Sequence, residues 1–557
     1  MCGISGILKY NSHTSLEEIK KMTDAISHRG PDGEGQWVSE NQKIGLGHRR
    51  LSILDLSDAA SQPMHSICGR YTMVFNGEIY NYLELKADLE KQGEVFTTSS
   101  DSEVLLRMYI LQKEDCLKDL DGMWAFAIWD ELEEQLFCAR DRFGEKPFHY
   151  YKDENGFYFA SEMKALWATG VPKIKNKSMF ALFEKEGAIH NPSAINETFY
   201  HSIFRLEHSH WMKINSNGQI TTQRYYDIDW RKQTYNGTIE DAAKEFNRLF
   251  LQSLERRFRS DVKVGTSLSG GLDSSSIVCN MIQFLGKGNL TPLTFSARFE
   301  GFKKDEGYFI EKVIEKTGVE AHYTWPNGQD MFNDFEKLCY HQEEPFGSAS
   351  IYAQYRVQQI AKVKGVTVLI DGQGADEILA GYLFYYSQYM KYLQQKNFVF
   401  SLKRKKEQDR FVDFHTPHKG IKAKLIKWSF YYDIRQKMSL LKNGKGISLN
   451  EELYLSTMKG PLQDLLRYAD RNSMAHSREV RLPFLNKELV EFCFSLPDDY
   501  KLNLGWTKYI MRKSFDDVLP KEITWRKEKV GFEPPQNEWL KDFKSFNWNK
   551  IMSENYE

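Results

Sequence analysis

At 557 residues and 41% hydrophobic, the chain is too long for one hydrophobic core and calls for at least two domains. A formal net charge of -1 with 27% charged residues argues against a dedicated nucleic-acid binder or a disordered chain. No apolar run reaches membrane-spanning length and no basic-then-apolar leader opens the chain. Its seven cysteines form no CxxC pair, so no zinc site or disulfide framework is expected, and the compartment expected is a reducing cytoplasm with no membrane partner.

The chain opens Met1-Cys2-Gly3-Ile4-Ser5-Gly6. Cysteine is small enough to allow removal of the initiator Met. Cys2 would then carry a thiol and a free α-amine of pKa near ~8, a nucleophile and a general base in one residue. By itself an N-terminal Cys-Gly can also be accidental. Short apolar or alternating segments follow at Ile44–His48, Tyr71–Phe75, Ala125–Trp129 and Phe157–Ala160, with helical stretches over Leu83–Lys91 and Ser102–Gln112. Strands dominate, so residues 1–205 are expected to form an α+β sandwich. On spacing alone, Asn76-Gly77 reads as a tight turn and Arg50 as half of a surface ion pair. Trp211–Ile214, Asn217-Gly218 and Ile220 onward predict a hairpin, and the polar stretch Tyr226–Glu240 a linker; together they make up 206–240.

From 241 to 557 the rhythm becomes helix, strand, helix, strand. Phe246, Leu249, Phe250, Leu254 and Phe258 recur at helical spacing. Val262–Leu268, Pro292–Ser296 and Val366–Ile370 read as buried strands of a parallel α/β sheet, whose ligands sit at the carboxyl ends of strands. Ser269-Gly270-Gly271-Leu272-Asp273-Ser274-Ser275 follows the first of these and leads into a helix expected from Ser274. Its glycines let backbone amides approach an anion, the helix N-terminus adds partial positive charge, and the serines add hydroxyl donors. Asp273 would repel a phosphate unless a magnesium ion lay between them. Asp371-Gly372-Gln373-Gly374-Ala375-Asp376-Glu377 follows another strand, so Asp376 is the candidate second carboxylate for that ion; the pair 376–377 also suits a helix start. Residues 384–460 are aromatic and basic, and read as a solvated helical face with an aromatic underside.

Taken together the chain resembles the glutamine-dependent asparagine synthetases over nearly its whole length. The motifs stand in order: MCGISG, HRGPDG at 28–33, RLSILDLS at 50–57, NGEIYNY at 76–82, SDSE at 100–103, GMWAFAIWD at 122–130, ARDRFGEKP at 139–147, SEMKAL at 161–166, SGGLDSS, DGQGADE, and EVRLPFL at 479–485. The resemblance implies an N-terminal-nucleophile (Ntn) hydrolase glutaminase of αββα layering joined to an ATP-pyrophosphatase domain of the adenine nucleotide alpha hydrolase-like type. It implies that Cys2 attacks the glutamine side-chain amide, Arg50 holds the glutamine carboxylate, Asn76 and Gly77 form the oxyanion hole, and Glu78 and Asp101 meet its α-amine. It further implies an ATP site of Leu268, Ser269, Gly270, Gly271, Leu272, Asp273, Ser274, Ser275, Ala297, Asp371 and Gly372, with Mg2+ on Asp273 and Asp376. Lys508 matches the lysine that neutralises departing pyrophosphate; without the resemblance it reads as a helix-surface lysine. The expected substrates are glutamine, ATP and aspartate or another carboxylate, the assembly admits a homodimer, and ammonia would need an internal passage between the domains.

Two positions depart from the family pattern. Gln373 stands where many asparagine-making members carry a carboxylate, and Asn486 where the PFL motif is usually followed by Asp. An amide can hydrogen-bond but can neither attract an ammonium nor act as a base. Both therefore bear on the acceptor. The first reading is asparagine synthesis; the second is the same machinery amidating another carboxylate, such as a sugar acid of a surface glycan. Relatives that close rings generally lack the N-terminal Cys, which this chain keeps. A catalytically silent scaffold sits poorly with the presence of Cys2, Arg50, Asp273, Asp376 and Lys508.

Overall fold

Backbone alternation shapes the first half. Along the strand Gly122–Asp130, Trp124, Phe126 and Ile128 point to one side and Ala125, Ala127 and Trp129 to the other, and all six are buried. A strand covered on both faces must lie inside a layered stack, and two six-stranded antiparallel sheets supply it. In the first, Gly3–Lys9 runs between Gly156–Ala160 and Ile44–Arg50. In the second, Tyr71–Ile79 pairs with Gly122–Asp130. Ile4, Leu46, Val74, Trp129 and Phe159 meet between the sheets. The helix Leu16–Ala25, opened by a capping box of Ser15 and Glu18, covers the first sheet's outer face with Ile19 and Met22. The helix Asp101–Gln112 covers the second with Val104, Leu105 and Met108. This is the expected αββα order. The hairpin His210–Asn215 and Ile220–Arg224 turns at Gly218 (φ +83°), and its first strand pairs with Gln135–Arg140, extending the second sheet.

The computed structural model describes residues 2–191, 193–286, 289–396, 410, 447–527, 531–540, 552 and 556. After an irregular stretch, the helix Ile239–Arg257, capped by Thr238, buries Phe246, Leu249, Phe250 and Leu254. Five parallel strands follow in the spatial order Glu320–Thr324, Leu290–Ala297, Val264–Ser267, Val368–Ile370, Glu479–Arg481. Chain order reverses between Val264–Ser267 and Val368–Ile370, so connections leave these two strands in opposite directions and open a crevice at their carboxyl ends. Of the aromatic, basic 384–460 stretch, residues 397–409 and 411–446 lie outside the described residues. The described helix Leu383–Lys396 buries Tyr385, Tyr386 and Tyr389, an aromatic underside as predicted. No described helix is long and apolar enough to cross a membrane.

Charges, not only apolar side chains, join the two halves. Glu162 is approached by Arg29 Nη1 at 2.7 Å, Lys164 Nζ at 2.5 Å and Arg471 Nη1 at 3.0 Å, and Arg471 Nη2 lies 2.8 Å from Glu343. Burial would raise the Glu162 pKa, but Lys164, His28 and Arg471 outweigh it and hold the carboxyl well below its usual range. Glu343 also accepts from the Met163 and Lys164 amides at 3.0 and 2.7 Å. Removing one member of such a buried set strands the others. Arg471→Met is expected to lower stability by about 3 kcal/mol, read as a lower chemical-denaturation midpoint.

Candidate active sites

Two cavities collect the residues singled out in the sequence. The smaller is lined by Cys2, Arg50, Gly77, Glu78 and Asp101, among others. Cys2 stands one residue ahead of the first sheet's central strand, which delivers its thiol to the cavity; burial pushes the thiol pKa up. Asn76 and Gly77 lie within the strand Tyr71–Ile79, opposite Ala125 and Trp124, not at the turn that spacing alone suggested. The Asn76 Oδ1 accepts from the Cys2 amide at 2.9 Å, which leaves Nδ2 as the free donor; it is buried and meets no partner among the described residues. A β-carbon on Gly77 would fall 2.2 Å from the Met123 carbonyl oxygen, so only glycine fits. Arg50 is no surface ion pair: it is buried and donates to the carbonyls of Ser57 (2.7 Å) and Asp55.

Glu78 and Asp101 line the same cavity. Burial, then the charge of Glu479, pushes Glu78 well above the ordinary carboxylate range. Burial is also the main cause that raises Asp101 to about 6, although its Oδ2 accepts from the Ile79 amide at 2.8 Å. Arg481, from the edge strand of the parallel sheet, lies 3.5 Å from Glu78 and 2.6 Å from Glu479. Two buried carboxyls beside a buried thiol suit an incoming ammonium, and Arg50 suits a carboxylate.

The larger cavity, about 450 Å³, occupies the crevice of the parallel sheet. Leu268, Ser269, Gly271, Leu272, Asp273, Ser274, Ala297, Asp371, Gly372, Asp376 and Lys508 line it. Gly270 and Ser275 do not: Gly270 turns the loop at φ +79°, where a β-carbon would come within 3.0 Å of Phe309 Cβ, and Ser275 is buried in the helix. That helix runs Leu272–Met281 with Gly271 as N-cap, so it starts earlier than expected and places Asp273 in its first turn. Lys508 is buried rather than on a helix surface, and at φ +52° it precedes the helix Tyr509–Ser514. Its Nζ stands 2.5 and 2.6 Å from the Asp273 oxygens and 2.7 Å from Asp376 Oδ1. Burial pulls its pKa down, but the two carboxylates outweigh this and hold it above the ordinary value. One cation thus bridges both carboxylates, a donor set that fits a magnesium ion shared with phosphates. No cluster of three or more acidic, histidine or cysteine side chains able to hold a metal occurs among the described residues.

Sequence reasoning missed several residues of this cavity. Gln354, Tyr382, Tyr468, Arg512 and Arg526 line it, as does Ile189 from the N-terminal half. Arg512 stood in the Thr507–Arg512 run, four residues past Lys508 on the following turn, and that spacing was the available signal. The Tyr382 hydroxyl donates to Glu377 Oε1 at 2.6 Å, and burial, then the Asp376 charge, pushes Glu377 up to about 7. Gln373 lines the cavity with its buried Oε1 unpartnered among the described residues. Asn486 is elsewhere. It caps the helix Lys487–Ser495, accepting from Leu489 N at 3.0 Å, and donates to Asp121 Oδ2 across the domain boundary at 3.0 Å. A carboxylate there would face Asp121, so the amide answers to the interface, and Asn486 is not part of the larger cavity's lining.

Two expectations follow from this geometry. An amino acid's ammonium pairs with an ionised Asp101, so with Asp101 raised to about 6 the affinity for glutamine should fall about tenfold from pH 7 to pH 5; calorimetry on Cys2→Ala protein measures it. A methyl on Gly381 would sit 1.7 Å from Asp376 Oδ1 and 2.2 Å from Lys508 Cε. Gly381→Ala is therefore expected to lower ATP-dependent turnover about a hundredfold, with glutamine hydrolysis unchanged.

A glutamine amidotransferase domain model matches residues 1–226, and an asparagine synthase model matches residues 245–555, more than half of the chain. The Bacillus subtilis protein named asparagine synthetase (glutamine-hydrolyzing) 1 is 32% identical over 97% of this chain and 88% of its own length. A second from that species, asparagine synthetase (glutamine-hydrolyzing) 3, is 31% identical over 98% and 90%. The protein named amidase chry2 of Gibberella zeae is 26% identical over 97% and 90%. By its two domain matches and its near full-length relatives, the chain belongs to the glutamine-hydrolysing asparagine synthetase family.

Proposed function

We propose that the protein makes asparagine from aspartate, ATP and glutamine, with residues 1–205 as glutaminase, the 206–240 hairpin and linker behind it, and 241–557 as synthetase. One observation carries this reading: Cys2, hydrogen-bonded to Asn76, lines one cavity with Arg50 and Gly77, while Lys508 meets Asp273 and Asp376 in the other.

In the first cavity Arg50 grips the glutamine α-carboxylate, and Glu78 and Asp101 hold the α-ammonium, which leaves the side-chain amide over Cys2. With Met1 removed, the Cys2 α-amine takes the thiol proton as sulfur attacks the amide carbon. Asn76 Nδ2 and Gly77 face the oxygen on which negative charge develops, where a preorganised donor contributes about 3 kcal/mol to the barrier. The amine returns its proton to the leaving nitrogen, ammonia departs, and water hydrolyses the thioester.

In the second cavity the acceptor carboxylate displaces pyrophosphate from the α-phosphorus of ATP. The amides of the 269–275 loop and the Leu272–Met281 helix terminus orient the phosphates, and Lys508 takes up charge on the departing pyrophosphate. Mg2+, held by Asp273 and Asp376, would neutralise phosphate charge. Ammonia then attacks the acyl carbon and AMP leaves. A small interdomain cavity of about 50 Å³ borders Asp470 and Arg471 and shares Ile189 with the larger one, which supports a shielded route for ammonia. The seven free cysteines support residence in the cytoplasm.

Gln373 favours a second reading, in which the acceptor is another carboxylate: its unpartnered Oε1 offers a neutral acceptor where an acidic side chain would offer charge. Pyrophosphate release with ATP, magnesium and glutamine, with and without L-aspartate, separates the two. The first reading expects release that requires aspartate and yields asparagine. Glutamine hydrolysis without aspartate-dependent release favours the second. Cys2→Ala is expected to abolish synthesis from glutamine and to retain synthesis from ammonium salts.

A further inference from the structure

The N-terminal cavity is lined by residues of its own domain, but the backbone of its Cys2 is held through a chain of contacts that reaches the other half. Arg29, in the His28–Gly33 motif, is fully buried and bonds to both halves of the molecule. Its Nε donates to the Cys2 carbonyl at 3.0 Å and its Nη1 to Glu162 at 2.7 Å. Nη1 and Nη2 also grip the two oxygens of Asp470 at 2.8 and 2.9 Å, a two-pronged pair. Asp470 belongs to the helix Pro461–Met474, whose Leu465 and Tyr468 line the larger cavity. Next to Arg29, the His28 carbonyl accepts from the Ser477 hydroxyl at 2.7 Å, a second hold from the synthetase half.

Chain starts fray unless tied down. Cys2 has its amide on Asn76 and its carbonyl on Arg29, and sheet pairing begins only at Gly3 with Arg49. Holding the Cys2 carbonyl fixes the backbone from which the thiol projects, and of the two carboxylates on Arg29 it is Asp470 that grips both Nη atoms, Glu162 taking Nη1 alone. We propose that Asp470 is a positioning residue for the Cys2 thiol, acting through Arg29, so that the synthetase domain aims the nucleophile of the glutaminase domain. The inference rests on Cys2 being that nucleophile.

Asp470→Asn keeps the shape of the side chain and takes away its charge and one acceptor. In the full-length variant the kcat of glutamine hydrolysis is expected to fall about tenfold or more. The KM for glutamine should stay within about twofold, because Arg50, Glu78 and Asp101 are untouched. Pyrophosphate release supported by ammonium salts should also stay within about twofold of the parent protein. Arg29→Lys, which keeps the cation but loses the fork, should show the same split and serves if Asp470→Asn is insoluble. An unchanged glutaminase kcat in soluble Asp470→Asn overturns the proposal. So does a parallel loss with both nitrogen sources, or insolubility of both variants, since each assigns Asp470 to stability alone. Cys2→Ala run alongside keeps the premise separate: residual glutamine hydrolysis there sinks the nucleophile reading whatever Asp470 does.

Discussion

A guanidinium taken out of water must have its charge answered, and Arg29 is answered from two domains at once. Glu162 and Asp470 share it, while Lys164 and Arg471 complete the set around Glu162 and Glu343. Each ion here was stripped of hydration worth several kcal/mol, so the arrangement is favourable only as a whole. A hydrophobic seam would tolerate small slips; this one does not, because each displaced donor leaves a buried carboxylate bare. The seam therefore sets the orientation of one active site relative to the other, and the Cys2 carbonyl is one of its terminals.

The synthetase cavity has a different origin. A parallel sheet whose connections leave two neighbouring strands in opposite directions opens a crevice at its carboxyl edge. The loops after Val264–Ser267 and Val368–Ile370 both empty into it, bringing Asp273 and Asp376 together although they lie far apart in the chain. Gly381 then admits Lys508 between them, since any side chain there would occupy the space of the carboxylate and the lysine stem. Topology supplies the crevice, glycine supplies the room, and electrostatics decides the charge of what sits in it.

Much of this was legible in the sequence. The apolar runs buried on both faces, the strand–glycine loop–helix order of Ser269–Ser275, and the second loop with its paired acids each carry their reason within a few residues. Reading failed where the reason is remote. Asn76-Gly77 has the chemistry of a turn, and only the cross-strand partners Ala125 and Trp124 make it strand. Arg50 and Lys508 look like surface cations until the fold buries them. Asn486 looks like an acceptor residue from its motif, yet its partner is Asp121, contributed by the other domain. Asp470 gave no local signal at all, because its meaning depends on an arginine near the start of the chain.

Ile189 belongs to the N-terminal half and forms part of the wall of the synthetase cavity. An acyl-adenylate is a mixed anhydride that bulk water destroys, so its lifetime depends on which surfaces enclose it. With one of those surfaces on loan from the neighbouring domain, a synthetase half cut away from its partner would hold its activated intermediate in an open vessel. The two halves are thus joined by more than delivery of nitrogen: the first domain is also part of the container in which the second keeps its reactive species dry.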